Sequence, residues 1–148
     1  MITLDNVIES WKKDSNIEIG ELDEASKRFS KCHAKYLELY SIIKLKRKKS
    51  ELNQKILLRD KWLHFNGKLP KEKIDEYGWS YDPFDGLKIM KGDFHYFFEA
   101  DEDLQDSEKK IAYLKNLEDT LKEIIENIKW KSQTIRNMLD FQKFSAGV

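Results

Sequence analysis

"IIKLKRKKSELNQKILLRDKW", residues 42–62, decides how this chain folds. It sits inside a run from Glu21 to Phe65 that holds no glycine and no proline. Ala, Leu, Lys, Arg, Glu and Gln are frequent there, and all are strong helix formers. Leu45, Leu52, Ile56 and Leu63 fall on one line at spacings of 7, 4 and 7. The run therefore reads as one long helix, with Asn66-Gly67 as its C-terminal stop. A helix of that length usually needs a partner along it.

The same stretch concentrates charge. Lys44, Lys46, Arg47, Lys48, Lys49, Lys55, Arg59 and Lys61 are opposed only by Glu51 and Asp60, a net +6 in a chain whose 27 basic and 27 acidic side chains cancel. At 100° per residue, Lys44, Arg47, Lys48, Lys55 and Arg59 fall within a sector of about 120°, with Trp62 in its middle. The leucine line falls beside that sector, so the expectation is a helix that buries its leucines and shows a basic stripe. Phosphates suit such a stripe because neutralising them releases condensed counterions. Trp62, at its end, is placed to stack on an unpaired base, worth ~1–3 kcal/mol.

Two other readings compete. One is a plain solvated helix face. Against it, of Lys44, Arg47 and Lys48 only Arg47 has an acidic residue four positions on, Glu51, and uncompensated like charges on one face are destabilising. The other is an internal counter-surface: Glu99, Asp101, Glu102, Asp103, Asp106 and Glu108 form an acidic cluster able to dock on the basic helix of the same or a neighbouring protomer. Overall neutrality predicts moderate, salt-sensitive DNA binding.

Working outward, residues 4–13 read as a short amphipathic helix capped by Thr3 or Asp5, with Leu4, Val7, Ile8 and Trp11 at 3–4 spacing. Residues 67–103 differ in character. They hold both prolines and four of the six glycines, and eight of the eighteen aromatics lie between 77 and 98. So many rings argue against disorder. The segment is expected to be a small core over helix ends or a stacking platform, with a short β-hairpin or irregular loop around Lys91-Gly92-Asp93. "ADEDLQDSEKK", residues 100–110, reads as an acidic helix start capped by Asp106 or Ser107. A second long helix runs to about Phe144. Leu114, Leu117, Leu121, Ile124, Ile125, Ile128, Ile135, Met138 and Leu139 give it a broad apolar stripe, with a near-heptad seam through Leu114, Leu121, Ile128 and Ile135.

The expected fold is mostly α. Two long helices and a short N-terminal one are joined by the aromatic-rich connector in a single domain, divided at about 1–66, 67–103 and 104–148. Charged residues make up 36% of the chain and mean hydropathy is −0.71. That is polar for a compact globule and suits a protomer that completes its core by self-association through the last helix. One cysteine, Cys32, excludes an internal disulfide and fits a reducing cytosol. No stretch approaches the ~18 apolar residues of a spanning helix, so the chain reads as soluble and intracellular, with no membrane partner.

Catalytic patterns are missing from the sequence. His33, His64 and His95 are scattered, and Cys32-His33 has no zinc-site spacing. "GLKIMKG" (86–92) lacks the phosphate-loop pattern, and no nucleophile–base pair stands out. The expectation is a protein that is not an enzyme and takes no cofactor or metal.

In order along the chain stand "WKKD" (11–14), "YLELYSIIK" (36–44), "ELNQKILLRDKWLHFNGK" (51–68), "EADED" (99–103) and "TIRNMLDFQKFSAGV" (134–148). As a set they resemble the recombination mediators of T4-type phages, the UvsY family, over nearly the whole chain. The resemblance implies a non-enzymatic protein that binds single-stranded DNA and forms a ring of six or seven subunits. It also implies that the protein helps load the phage recombinase onto strands coated by the phage single-strand-binding protein, contacting both, in the cytoplasm of the infected host cell. The family's DNA contacts centre on an apolar–basic–x–basic–apolar run, here Leu58-Arg59-Asp60-Lys61-Trp62, which adds Lys61 to the candidate DNA-binding residues. Asp60 stands where a small neutral residue is expected, implying weaker DNA affinity. The family's C-terminal helix drives oligomerisation and maps onto the 111–141 stripe. The alternative is a coiled-coil adaptor or structural protein that binds only protein.

Overall fold

Thr3 opens the first helix. Its backbone is extended and its Oγ1 accepts the Asn6 N–H at 3.1 Å, the geometry of an N-cap. Among the described residues, five α-helices and two short 3-10 turns follow in order. They are α1 (Leu4–Asp14), a turn at Ile19–Glu21, α2 (Leu22–Phe65), α3 (Lys71–Tyr77), a turn at Lys91–Asp93, α4 (Phe94–Ala100) and α5 (Glu102–Ser145). The structure is a computed structural model and describes residues 1–147; Val148, the end of the expected C-terminal segment, lies outside the described residues. No described helix is long and apolar enough to cross a membrane. The chain divides into two compact units: Met1–Lys46 together with the chain from Leu114 onward, and Arg47–Tyr113. Each long helix contributes to both.

The first unit is built on α1, the first half of α2 and the later part of α5. From α2 it buries Ala25, Phe29, Cys32, Tyr36 and Ile43, at spacings of 4, 3, 4 and 7. From α5 it buries Leu114, Leu117, Leu121, Ile124, Ile128 and Ile135, with Ile125 and Met138 packed against them. The stripe expected to serve as an intermolecular seam is thus spent within the protomer. Of its nine residues, only Leu139 is exposed. The reason is simple: a 3.5–3.6-residue apolar period suits a helix partner in the same chain as well as one in another.

Polar contacts join α1 to α2. The Asp14 carboxylate accepts from Lys35 at 2.9 Å and from the Tyr36 hydroxyl at 2.8 Å, while Lys35 also reaches Ser10. Tyr36 is fully buried and meets the Trp11 ring edge-on at 5.6 Å. Burial works to raise the Asp14 pKa, but the hydrogen bonds of Lys35 and Tyr36 and the Lys35 charge outweigh it and hold it low.

The line Leu45, Leu52, Ile56 does not face a core. Leu45 is 72% exposed, and Leu52 and Ile56 are about half exposed. Helical phase explains this. At 100° per residue, Leu45 stands ~160° from buried Ile43 and Leu52 ~160° from buried Ser50. The buried face of α2 in the second unit carries polar residues, which a search for apolar periodicity passes over.

The second unit is organised by rings. α2 ends where expected: Gly67 takes a positive φ of 69°, Lys68 N–H bonds to Leu63 O, and Gly67 N–H bonds to His64 O, the double closure of a left-handed helix stop. Phe65 then meets Phe84, Phe94 and Phe98 at centroid distances of 5.1, 5.9 and 4.7 Å. The hairpin expected around Lys91-Gly92-Asp93 is replaced by a 3-10 turn leading into α4, and no strand occurs among the described residues. Phe94, Phe97 and Phe98 recur at helical rather than two-residue spacing, which turns all three toward one ring cluster. The next boundary also shifts. α5 begins at Glu102, not near Asp106 or Ser107, because the Asp101 carboxylate accepts the Leu104 N–H at 3.0 Å and caps the helix.

Leu117 is wholly buried. Leu117→Ala is expected to cost about 2–5 kcal/mol, read as a lowered urea midpoint with an unchanged slope.

Candidate nucleic-acid interface

Within the second unit, Lys48, Lys55, Arg59 and Trp62 follow one another at 7, 4 and 3 positions and share a face of α2. Lys48 and Lys55 are exposed and make no ion pair among the described residues. Arg59 is largely exposed and leans on its neighbour Asp60 at 3.1 Å. Trp62 is 46% exposed. The row covers roughly 21 Å of helix axis at 1.5 Å per residue.

The remaining candidates stand apart. Lys44 belongs to the first unit, exposed, with its ammonium 5.9 Å from the Tyr40 ring centre. Arg47 is partly buried and bonded to Glu51 at 2.7 Å. Lys61 departs most. It is 5% exposed, and its ammonium lies 2.9 Å from both Asp101 and Asp103 and 3.8 Å above the Trp79 ring. At 100° per residue it is ~160° from Arg59, so it cannot share the outer row. Sequence reasoning had placed it there through the motif and not through its phase.

Asp60, one residue earlier, is also buried. Its carboxylate accepts from the Tyr77 hydroxyl at 2.5 Å and from Arg59 Nε at 3.1 Å. Tyr77 in turn stacks on Trp79 with centroids 4.0 Å apart, and Trp79 donates its indole N–H to Asp103 at 2.9 Å. Burial works to raise the Asp60 pKa, but the hydrogen bonds from Tyr77 and Arg59 and the charges of Arg59 and Lys73 outweigh it and hold it low. Burial and the Asp60 contact push Tyr77 up to about 12. The Lys61 hydrogen bond holds Asp103 low against its partial burial. The residues that sequence reading missed are therefore Tyr77 and Trp79. Together with Asp101 and Asp103 they form a satisfied polar core behind the outer row. No group of histidine, cysteine or carboxylate side chains among the described residues is placed to hold a metal ion.

A profile of the family described as "Recombination, repair and ssDNA binding protein UvsY" matches residues 10–148. The chain belongs to the UvsY family. Among solved structures, it is similar to the bacteriophage T4 recombination mediator protein UvsY in its type II crystal lattice. That match has a TM-score of 0.80 and 21% identity over 99% of each chain. The type IV lattice of the same T4 protein matches at 0.79 and 19%, over 97% of this chain and 99% of that one. The type I lattice matches at 0.77 and 21%, over 95% and 98%. No curated protein sequence matches the chain. The structural matches establish that the helical UvsY fold is kept at low identity.

The polar core of this UvsY-family chain has a pH signature. The folded pKa of Asp60 lies below the unfolded value of ~3.9, so its contribution is present above that value and is lost as pH falls through the folded pKa. Asp60→Asn is expected to cost about 1.5–3 kcal/mol at pH 7 and much less near pH 2. Urea unfolding at the two pH values checks this; an equal cost at both would remove the charge from the account.

Proposed function

We propose that this protein is a recombination mediator that binds single-stranded DNA and helps load a phage recombinase onto strands coated by single-strand-binding protein. It does so without catalysing a reaction, in the cytoplasm of the infected cell. The observation that carries the reading is the outer row of Lys48, Lys55, Arg59 and Trp62, exposed on α2 of a chain that belongs to the UvsY family. Arg47, partly held by Glu51, adds positive charge to it; Lys44 belongs to the first unit. Lys61 supports the row from behind: its ammonium is committed to Asp101 and Asp103, which offsets one of their two negative charges.

A row of cations ending in an exposed indole suits phosphates and one unstacked base, with no set of amides to read base edges. Binding to oligo(dT) and to a mixed-sequence oligonucleotide is expected to weaken alike as salt rises, with a log–log slope of about −0.7 per neutralised phosphate. Lys55→Ala with Arg59→Ala is expected to make the slope shallower by roughly 1.4, measured by fluorescence anisotropy. A flat salt response in the wild type would favour the protein-only adaptor instead.

We further propose that the protomers form a ring of six or seven through α5. The apolar residues available for this are exposed ones: Trp130, Leu139, Phe141 and Phe144, the last 82% exposed. An assembly would bring several rows to one strand, and avidity can raise affinity by ~10²–10⁴. Phe141→Asp with Phe144→Asp is expected to lower the sedimenting mass and weaken strand binding while circular dichroism is unchanged. Ile128→Asp is expected to unfold the first unit instead, because Ile128 lies in its core. Retention of the full assembly by the double variant would move the interface elsewhere.

A further inference from the structure

Trp62 does not stand alone at the end of its row. It borders a cleft of about 340 Å³ lined also by Asn66, Lys91, Gly92, Phe94, His95 and Phe98. All of these lie in the second unit, and no carboxylate lines the cleft. The lining joins the C-terminal turn of α2 to the start of α4, two segments 25 or more residues apart in sequence. We infer that this cleft is a nucleotide subsite: it takes one unpaired base of a single strand against Trp62, with the adjoining phosphate on Lys91. The inference rests on the reading that the chain binds single-stranded DNA, and it gives the connector between the long helices a part in that binding.

Size, chemistry and position all bear on the occupant. A volume of about 340 Å³ is near the lower end of ligand clefts, ~300–1,000 Å³, room for one flat ring system and not for a large ligand. The lining combines the ring faces of Trp62, Phe94, His95 and Phe98 with the polar side chains of Asn66 and Lys91. Trp62 is half exposed, Phe94 is the buried floor, and His95 and Phe98 flank it. Every base has a π-face, so a wall of rings takes any of them. Lys91 lines the cleft and is exposed, placed for a phosphate, while the Lys68 ammonium, outside the lining, lies over the Trp62 ring 5.4 Å from its centre.

The walls are also held. The Asn66 amide donates to Trp62 O at 2.8 Å, tying the helix end. His95 Nδ1 donates to Gly92 O at 2.9 Å, since a carbonyl oxygen only accepts; the His95 ring also lies 3.9 Å from that of Tyr96. Phe94 and Phe98 pack on Phe65. A strand following Lys48, Lys55 and Arg59 along α2 therefore reaches at Trp62 a preformed slot rather than an isolated indole, and preorganised side chains lose less freedom on binding.

The test separates base from backbone. Anisotropy is measured with the full-length protein on oligo(dT) and on an oligonucleotide of equal length carrying abasic sites throughout. Trp62→Ala is expected to weaken oligo(dT) binding by about 10-fold and abasic binding by less than about twofold, because the abasic strand has nothing to stack. Lys91→Glu is expected to weaken both strands alike. Irradiating the complex with an oligonucleotide containing 5-iodouracil, followed by peptide mass spectrometry, is expected to place adducts on Trp62 or within residues 91–98. Equal loss on both strands for Trp62→Ala, or adducts confined to other segments while binding is intact, would overturn the subsite and leave the strand-binding reading standing. A wild-type protein that binds neither oligonucleotide would overturn both.

Discussion

A buried ammonium holds the second unit together. Removing the Lys61 charge from water costs several kcal/mol unless its partners are close and well placed. Here two carboxylates sit at 2.9 Å and an indole face at 3.8 Å. That requirement fixes more than one side chain. Asp101 answers the charge and caps α5 at the same time, so the ion pair also sets where the second long helix begins. Asp103 answers it while accepting the Trp79 indole N–H, and Trp79 in turn lies on Tyr77, whose hydroxyl serves Asp60. Asp60 and Lys61 are neighbours in sequence and both buried, yet each finds its partners in different segments, as the 100° step of the helix dictates.

This arrangement changes the meaning of the charge in α2. A segment with a net +6 looks like one continuous anion-binding surface, but its cations have separate fates. Lys61 is withdrawn, Arg47 is bonded to Glu51, and Arg59 is shared with Asp60. Lys48 and Lys55 remain free to meet an external anion. Two carboxylates of the acidic stretch, Asp101 and Asp103, are bound internally by Lys61. The exposed Lys48, Lys55 and Arg59 and the buried Asp60 and Lys61 thus occupy different faces of one helix.

A similar division appears in the apolar residues. The α5 stripe completes the core of the first unit, and the large apolar groups left on the surface lie elsewhere: Trp130, Phe141 and Phe144 on α5, Leu45, Leu52 and Ile56 on α2. Self-association, if it draws on α5, uses groups outside the heptad-like seam.

What the sequence determined by itself is what local chemistry and periodicity determine. The long glycine- and proline-free run, the Asn66-Gly67 stop, a cap at Thr3 or Asp5 and the apolar stripe of α5 were all legible, because helix propensity, capping and a 3.6-residue period act over a few residues. The outer row of cations was legible for the same reason. What only the tertiary structure decided is which face of each helix turns inward. Apart from Phe65, the buried residues of α2 in the second unit are Ser50, Asp60, Lys61 and His64, which no apolar pattern announces. Asp60 and Lys61 are tolerated there because Tyr77, Asp101 and Asp103, distant in sequence, come within hydrogen-bonding range. The start of α4 was misread as a hairpin although Phe94, Phe97 and Phe98 carry a helical spacing. A short aromatic run is ambiguous until the ring it packs on, Phe65, is in place. Burial of charge and the choice of partner for an apolar stripe are decided by long-range contacts, and a periodic pattern alone leaves them open.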